Sequence, residues 1–234
     1  MTVELIERLK ILSTPHLADA CVRTGVKVRC APSALRPISG AMRCAGRVRP
    51  ARHVGSVDIF FEVLENADKG DIMVVDNGGR LDEACVGDLV ALEVANAGLA
   101  GIVIWGLHRD TPELLEIGLP FFSLGTMPTG PLRLDRRSPD ALEWARVGEW
   151  VVSPDDLVVG DADGLIFIPA DKLAEVIEVA EGIQETELQQ AKEMRAGRTF
   201  RTQTSFPRYL EERAKNPSLG FREYLRKIGG AIEE

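Results

Sequence analysis

The amino-acid sequence predicts an α/β protein with parallel strands. Two short apolar runs, IMVVD (72–76) and GIVIW (101–105), have the length and the branched residues of buried strands. Residues 82–97 and the segment from Thr111 to Gly118, which follow these two runs, have a helical spacing of apolar residues. Strands that alternate with helices in this way are typical of βαβ units, whose strands are parallel.

The N-terminal segments add three helices to this pattern. Residues 3–11 fit a short amphipathic helix. Thr14 and Pro15 look like an N-cap followed by proline at the first helical position, and they predict a second helix that stops near Gly25. A third helix is expected over residues 57–66, after a stretch in which the strand-like piece GRVRPARHV alternates with turns.

The second half of the chain has a different pattern. Residues 149–169 contain short apolar runs separated by Asp, Gly and Pro, which predict β-arches rather than βαβ units. A long polar helix is expected from Ala170 to Arg195, closed by Gly197. The tail, residues 198–234, is expected to be ordered and to pack on a neighbouring subunit, because it contains several aromatic residues. These are Phe200, Phe206, Tyr209, Phe221 and Tyr224.

Composition excludes several functional classes. The 234-residue chain has 28 Lys and Arg against 36 Asp and Glu, a formal charge of −8. A chain this acidic lacks the basic surface that binds nucleic acid, so no nucleic-acid partner is expected. The four cysteines form no CxxC pair, which favours reduced, buried thiols over a structural zinc site.

No membrane partner is expected either. The N-terminal stretch MTVELIERLKIL has charged residues where a signal peptide would need an apolar core. No apolar run approaches the roughly 18 residues of a membrane span. These features predict a cytoplasmic protein.

Two segments resemble parts of well-known motifs but lack the other residues that these motifs require. The triplet His108-Arg109-Asp110 spells the start of a protein-kinase catalytic loop, but Leu115 stands where that loop needs asparagine, and no DFG segment is present. The turn after IMVVD is rich in glycine, but it lacks the GxGxxG spacing of a dinucleotide-binding fingerprint.

The remaining candidate site combines two segments that follow neighbouring strands. If a helix begins near Gly87, the free amides of residues 87–90 would suit a carboxylate. Arg109 would hold a carbonyl or enolate oxygen, and Asp110 is a hard oxygen ligand suited to Mg²⁺ or Mn²⁺. In an open α/β sheet both segments would face one crevice beyond the strand ends. Such parts suit chemistry that builds an enolate next to a carboxylate.

The charged residues near the strand ends and turns also have interpretations that involve no catalytic or binding role. An adjacent arginine and aspartate after a strand are often a solvated loop pair of little energetic value. Asp161 and Asp163 are expected to be turn formers. His108 is expected to be a loop residue or a support for its neighbours rather than a metal ligand.

The sequence also resembles a known family. The block GDIMVVDNGGRLDEACVGDLVALEVANAGLAGIVIWGLHRD (70–110), and later SPDDLVVGDADGLIFIP, are similar to the RraA-like family. That family contains class II pyruvate aldolases acting on 4-hydroxy-4-methyl-2-oxoglutarate and 4-carboxy-4-hydroxy-2-oxoadipate, and the regulator of ribonuclease activity A. The VVDNGG turn and the presence of Asp110 favour the aldolase branch.

The resemblance implies a fold and an assembly. The expected fold is a swivelling β/β/α domain over residues 1–197, with a C-terminal helix and an extended tail over residues 198–234. Homotrimers or homohexamers with active sites between subunits are implied as well.

The resemblance also assigns roles to individual residues. The backbone amides of Gly87, Asp88, Leu89 and Val90 match the segment that binds the carboxylate of pyruvate. Arg109 matches the arginine that binds substrate and stabilises the enolate. Asp110 matches the aspartate that anchors the metal, directly or through water, and Asp88 matches an acid beside the metal and its waters. A glutamate from the C-terminal helix of the adjacent subunit would complete the site, and the candidates are Glu185 and Glu187.

The implied reaction is the Mg²⁺- or Mn²⁺-dependent cleavage of a 4-hydroxy-2-oxo acid to pyruvate and a second carbonyl compound. Oxaloacetate decarboxylation is an expected side activity because it passes through the same enolate. The alternative is a non-catalytic regulator that binds a ribonuclease or another protein partner.

Overall fold

The computed structural model describes residues 3–229, which form alternating strands and helices. Residues 1–2 and 230–234, which belong to the predicted domain and to its extension, lie outside the described residues. In chain order the strands are β1 (Arg36–Pro37), β2 (Cys44–Arg52), β3 (Ile72–Asp76), β4 (Ala84–Val86), β5 (Gly101–Trp105), β6 (Leu107–His108), β7 (Phe121–Ser123), β8 (Ala145–Val147), β9 (Trp150–Val152), β10 (Asp156–Asp161) and β11 (Gly164–Pro169). The helices are α1 (Val3–Ile11), α2 (Thr14–Thr24), α3 (Asp58–Asn66), α4 (Asp88–Asn96), α5 (Thr111–Ile117), α6 (Leu173–Arg195), α7 (Phe200–Gln203), α8 (Phe206–Lys215) and α9 (Phe221–Ile228).

Seven of the described strands form one curled, mixed sheet in the order β1-β7-β5-β3-β2-β10-β11. β2, β3, β5 and β7 are parallel neighbours, which confirms the α/β pattern expected for the first half. β2 joins the two halves of the sheet. Its first residues pair antiparallel with β10, and its last residues pair parallel with β3.

The two halves of the curled sheet pack against each other through a shared core. Val74 and Val103 of the parallel half belong to the same buried cluster as Val158 and Phe167 of β10 and β11. Helices α3, α4 and α5 cover the outer face of the parallel half, and α1, α2 and α6 cover that of the antiparallel half. Each fully buried branched or aromatic side chain contributes roughly 1.5–3 kcal/mol to this packing. The arrangement is the expected β/β/α fold with C-terminal helices.

Three local predictions need correction. The N-cap of α2 is Ser13, whose hydroxyl accepts from the His16 amide, so Thr14 is already helical. The helix predicted over residues 82–97 begins only at Asp88, because the three buried residues of β4 pair with β6 instead. Residues 156–169 form a hydrogen-bonded antiparallel hairpin rather than β-arches.

The turn-forming role of Asp161 is confirmed, and it extends further than expected. Asp161 Oδ1 accepts from Asp163 N at 2.9 Å, which closes the hairpin turn. The same buried carboxylate accepts from the amide and the hydroxyl of Thr14 at 2.8 and 2.7 Å. It therefore also anchors the start of α2 to the sheet.

The described part of the tail, residues 198–229, folds on itself. Four of its five aromatic rings pack in one cluster, in which Tyr224 is fully buried and the rings of Tyr209 and Phe221 lie 4.8 Å apart. Phe200 lies outside that cluster. The packing of this tail on a neighbouring subunit stays a prediction.

Among the described residues, no helix combines the length and the apolar character needed to cross a bilayer.

Candidate functional site

Two parallel ladders bring the predicted site residues to one edge of the sheet. β3 and β5 end side by side, with Asp76 opposite Trp105. Just beyond them, β4 and β6 form a second parallel ladder. Both strands of this ladder point the same way, so their carboxyl ends place Gly87 next to Arg109. The Arg109 amide donates to the carbonyl of Val86 at 3.0 Å.

The N-terminus of α4 faces two carboxylates. Gly87 is the N-cap and Asp88 the first helical residue, which confirms the helix start on which the anion-binding prediction depends. The amides of a first helical turn have no acceptor within the helix. Asp88 Oδ1 accepts from Leu89 N at 2.8 Å, and Asp110 Oδ2 lies 3.4 Å from Asp88 N. Oxygen anions therefore have access to these amides.

Asp110 is directed toward α4 by an unusual backbone conformation. Its φ and ψ are 61° and 42°, in the left-handed region that few residues other than glycine adopt and that aspartate tolerates. Its carbonyl accepts from Leu114 N, which starts α5. Its carboxylate is about one-third exposed and lies 3.4 Å from Arg109 Nε. This loose, partly solvated contact leaves both side chains able to bind a ligand.

Gly87 is the residue around which the site is built. A methyl group at this position would lie 2.3 Å from Asp110 Oδ2 and 3.2 Å from the side chain of Arg109. Any larger residue would therefore push both groups away from the start of α4.

We expect Gly87→Ala to lower kcat of the activity proposed below by about 10- to 100-fold, because a displacement of about 1 Å at a reacting centre has effects of that size. Thermal unfolding should change little, since the displaced groups are partly exposed. Gly40→Ala is the matched control, because nothing lies within 4 Å of a methyl group there. Unchanged kinetics in the Gly87 variant would contradict this role.

Arg109 lies between two glycines. Its side chain approaches Gly87, and a methyl group at Gly130 would lie 3.0 Å from its Nη1. About half of the side chain is exposed. The guanidinium thus lies where a side chain at Gly130 would crowd it, while half of the arginine side chain remains open to a ligand.

His108 is buried and fully engaged by its neighbours. Nδ1 contacts Ser123 Oγ at 2.7 Å and Nε2 contacts Thr111 Oγ1 at 2.9 Å. Burial lowers the pKa of His108. The residue lies in β6 rather than in a loop, which corrects one of the two interpretations given above, and its contacts support β7 and the start of α5.

Sequence reasoning missed a buried polar cluster behind the site. Glu83 and Asn77 are fully buried and His53 nearly so. Glu83 accepts from Leu132 N at 2.7 Å and from Arg133 Nε at 3.0 Å. Burial alone would raise the pKa of Glu83, but these two donors, together with the positive charge of Arg80 whose Nε lies 3.2 Å from Glu83 Oε1, lower it below its usual value.

Arg133 links the other members of this cluster. Its Nη2 donates to the carbonyl of His53 at 3.0 Å and to Asn77 Oδ1 at 2.9 Å. The same Asn77 oxygen lies 2.9 Å from His53 Nδ1. Because an amide oxygen only accepts, His53 Nδ1 carries the proton in this arrangement.

His53 predicts a pH dependence of stability. Burial lowers its pKa, although the contact with Asn77 opposes this effect. Below the unfolded-state pKa of about 6.5, the unfolded chain binds a proton that the folded chain excludes, so the free energy of unfolding falls as the pH falls. The slope from this residue is at most about 1.4 kcal/mol per pH unit.

Urea unfolding between pH 7.5 and pH 5 measures this effect. His53→Asn, which keeps an N–H donor for Asn77, should remove about one proton from the pH dependence. An identical slope in the wild-type chain and the variant would show that His53 is not the group responsible.

The acidic side chains at the site are few. Within residues 3–229, no group of three or more His, Cys, Asp or Glu side chains is arranged to hold a metal ion. The Asp110 carboxylate lies 3.4 Å from the backbone amide of Asp88, so both aspartates are found at the start of α4. Mg²⁺ usually binds one or two protein carboxylates and keeps several waters or substrate oxygens, so this pair fits such an ion.

Glu185 and Glu187 differ in their surroundings. Glu187 pairs with His16 Nε2 of its own chain at 3.0 Å. Glu185 lines an open cleft between α6 and the tail, and no hydrogen bond or ion pair holds it among the described residues. Within the chain, neither glutamate forms a hydrogen bond or an ion pair with Arg109 or Asp110.

The fold that carries this candidate site is that of an established protein family. The family model RraA-like, described as Aldolase/RraA, matches residues 14–167, more than half of the chain. The chain therefore belongs to the RraA-like family.

The proteins similar to this chain include one described as an aldolase and one described as a member of an RNase inhibitor family. A 4-hydroxy-4-methyl-2-oxoglutarate aldolase of Thermus thermophilus is 31% identical over 138 residues, covering 59% of this chain and 83% of that one. The crystal structure of Streptomyces coelicolor RraAS2, described as an unusual member of the RNase ES inhibitor RraA family, is 25% identical with a TM-score of 0.68. That match covers 83% of this chain and 98% of that one. An uncharacterized protein from Pseudomonas syringae shares the fold, with a TM-score of 0.72 at 23% identity, over 84% and 94% of the two chains.

Proposed function

We propose that this protein is a divalent-metal-dependent lyase. It would cleave a 4-hydroxy-2-oxo acid to pyruvate and a second carbonyl compound, with oxaloacetate decarboxylation as a side activity. The observation that carries the proposal is the meeting of the α4 N-terminus with Arg109 and Asp110 around Gly87. The similarity to an aldolase supports the substrate class.

Each side chain has a proposed task. The amides of residues 87–90 bind the substrate carboxylate, which replaces the carboxylates that now approach them. Arg109 donates to the 2-oxo oxygen, where negative charge develops when the C3–C4 bond breaks. Asp88 orients water and takes up the proton of the 4-hydroxyl group. That proton loss forms the second carbonyl compound, and C3 of the pyruvate enolate is then protonated.

Asp110, with Asp88 beside it, would hold Mg²⁺ or Mn²⁺. A divalent cation supplies Lewis-acid stabilisation of the developing enolate. Glu185 of an adjacent subunit is the better candidate to complete this site, because Glu187 already has a partner in its own chain.

We also propose that residues 1–197 form the catalytic domain and that the chain assembles as a homotrimer or homohexamer. Large apolar side chains are exposed on α4 and on α3 with its N-cap, beside the candidate site. They are Val57, Phe61, Leu89 and Leu92. Contact with another subunit would remove this apolar surface from water.

Pyruvate release tests the proposed function. The purified full-length chain should release pyruvate from oxaloacetate and from 4-hydroxy-4-methyl-2-oxoglutarate when Mg²⁺ is present, in excess of a protein-free control. EDTA should remove this activity and added Mg²⁺ or Mn²⁺ should restore it. If no 2-oxo acid is turned over in a metal-dependent way, the proposal is wrong.

A second candidate is a non-catalytic regulator that binds a ribonuclease or another protein. The description of the Streptomyces structure favours it. If this candidate is correct, the purified chain should capture that partner. The substitution Asp110→Ala should then leave the binding unchanged.

A further inference from the structure

The buried carboxylate of Glu83 holds one irregular segment against the candidate site. Residues 127–138 contain no helix or strand, yet they run along β4 and β6 and pass close to Arg109. Glu83 binds this segment at two successive residues, through the amide of Leu132 and the guanidinium of Arg133. A carboxylate with no exposed surface is costly to bury unless such partners are present.

Backbone hydrogen bonds continue the attachment on either side of this pair. Met127 N donates to the carbonyl of His108 at 2.9 Å, and Ala84 N donates to that of Thr129 at 2.9 Å. Asp135 N donates to the carbonyl of Val54 at 2.8 Å. The segment is thus fixed to β4, β6 and the residues that follow β2.

The segment in turn limits where Arg109 can lie. Gly130 stands two residues before Leu132, and a methyl group added there would lie 3.0 Å from Arg109 Nη1. The one ion pair found for Arg109 within the described chain is the loose contact with Asp110 at 3.4 Å. A shift of Gly130 would therefore change the space open to this half-exposed side chain.

We propose that the Glu83–Arg133 pair is a positioning device that sets the orientation of Arg109 through the segment carrying Gly130. This inference rests on the proposed function for its catalytic consequence, but its structural part is independent of any reaction. If the pair only stabilised the fold, replacing it would lower the melting temperature but would not specifically lower kcat.

The test replaces both partners at once, as Glu83→Leu with Arg133→Met. Removing both charges avoids an unpaired buried charge at either position. Arg80, whose Nε lies 3.2 Å from Glu83 Oε1, loses this partner, but its side chain is about one-third exposed. The melting temperature should therefore change by only a few degrees. We expect kcat to fall by about 10- to 100-fold with a smaller change in KM, because the contact of Arg109 with the 2-oxo oxygen strengthens as negative charge develops there. Amide hydrogen exchange at Ala84, Arg109 and Met127 should accelerate, since their acceptors lie in or beside the released segment.

A second buried pair provides the matched control. Asp156 of β10, on the antiparallel half of the sheet, forms an ion pair of similar burial with Arg29. Arg29→Met with Asp156→Leu should leave kcat and the exchange of the three amides unchanged. Glu83→Gln, which keeps an oxygen acceptor for Leu132 N, should lose less kcat than the double variant.

The outcomes separate this proposal from the proposed function. If the wild-type chain has no lyase activity, the proposed function is wrong. Amide hydrogen exchange then tests by itself whether the Glu83–Arg133 pair positions the segment beside Arg109. Unchanged exchange in the Glu83 and Arg133 double variant would overturn the proposal. So would normal kcat in an active enzyme, or an equal loss of kcat in both double variants.

Discussion

Replacing Asp110 with alanine is expected to reduce metal-dependent pyruvate release by about 1000-fold or more. The change removes a carboxylate beside the α4 N-terminus that is proposed to hold the divalent cation, and the Lewis-acid contribution of such an ion amounts to several kcal/mol. The side chain is partly exposed and its contacts are long, so the main effect on folding should come from the left-handed backbone, which alanine tolerates less well than aspartate, at a cost of about 1 kcal/mol. Initial rates at saturating Mg²⁺, with the melting temperature of each variant, measure the effect.

Glu116→Ala is the control for this experiment. It removes one negative charge from the exposed surface of α5, the helix that begins just after Asp110. Its activity should match that of the wild-type chain. An Asp110→Ala variant that retains full metal-dependent activity would exclude Asp110 as a metal anchor.

Replacing Glu83 alone with leucine is expected to lower the free energy of unfolding by about 3–5 kcal/mol. The substitution leaves Leu132 N without its acceptor and Arg133 without its buried counter-ion, and breaking a buried pair in this way has an effect of that size. For a chain of this length, the melting temperature should fall by about 10 °C. Urea unfolding and thermal scans both report the change.

Glu62→Leu is the matched control, since Glu62 forms an exposed ion pair with Arg137. Exposed pairs contribute about 1 kcal/mol or less, so this variant should unfold close to the wild type. Equal losses in the two variants would show that burial does not make the Glu83 pair special.

Elements with a strong local pattern were predictable from the sequence. β3 and β5 are short, continuous apolar runs bounded by turns, and the structure places them at the predicted residues. The start of α5 at Thr111 follows from Thr111 and Pro112, whereas the helix predicted over residues 82–97 begins only at Asp88, near the Gly87 start on which the candidate site depended. These boundaries are enough to bring the two halves of the candidate site to one sheet edge.

β4 was missed for a physical reason. Its three residues, Ala84–Val86, continue the apolar spacing of α4, so no local pattern separates them. Their pairing with β6, about twenty residues later in the chain, decides their structure.

The buried cluster around Glu83 was hidden for a related reason. Glu83 and Arg133 are fifty residues apart in the sequence. Around Arg133 the usual pattern is reversed, since Leu132 and Leu134 are exposed while the arginine points inward. Only the tertiary structure shows that a charged side chain occupies the inner position.

The most direct test of the central claim is a crystal structure of the protein with Mg²⁺ and pyruvate. We expect the pyruvate carboxylate within hydrogen-bonding distance of the amides of residues 87–90 and its oxo oxygen beside Arg109. The cation should lie next to Asp110. Pyruvate bound away from both Arg109 and the start of α4, or a cation site that does not involve Asp110, would contradict the account.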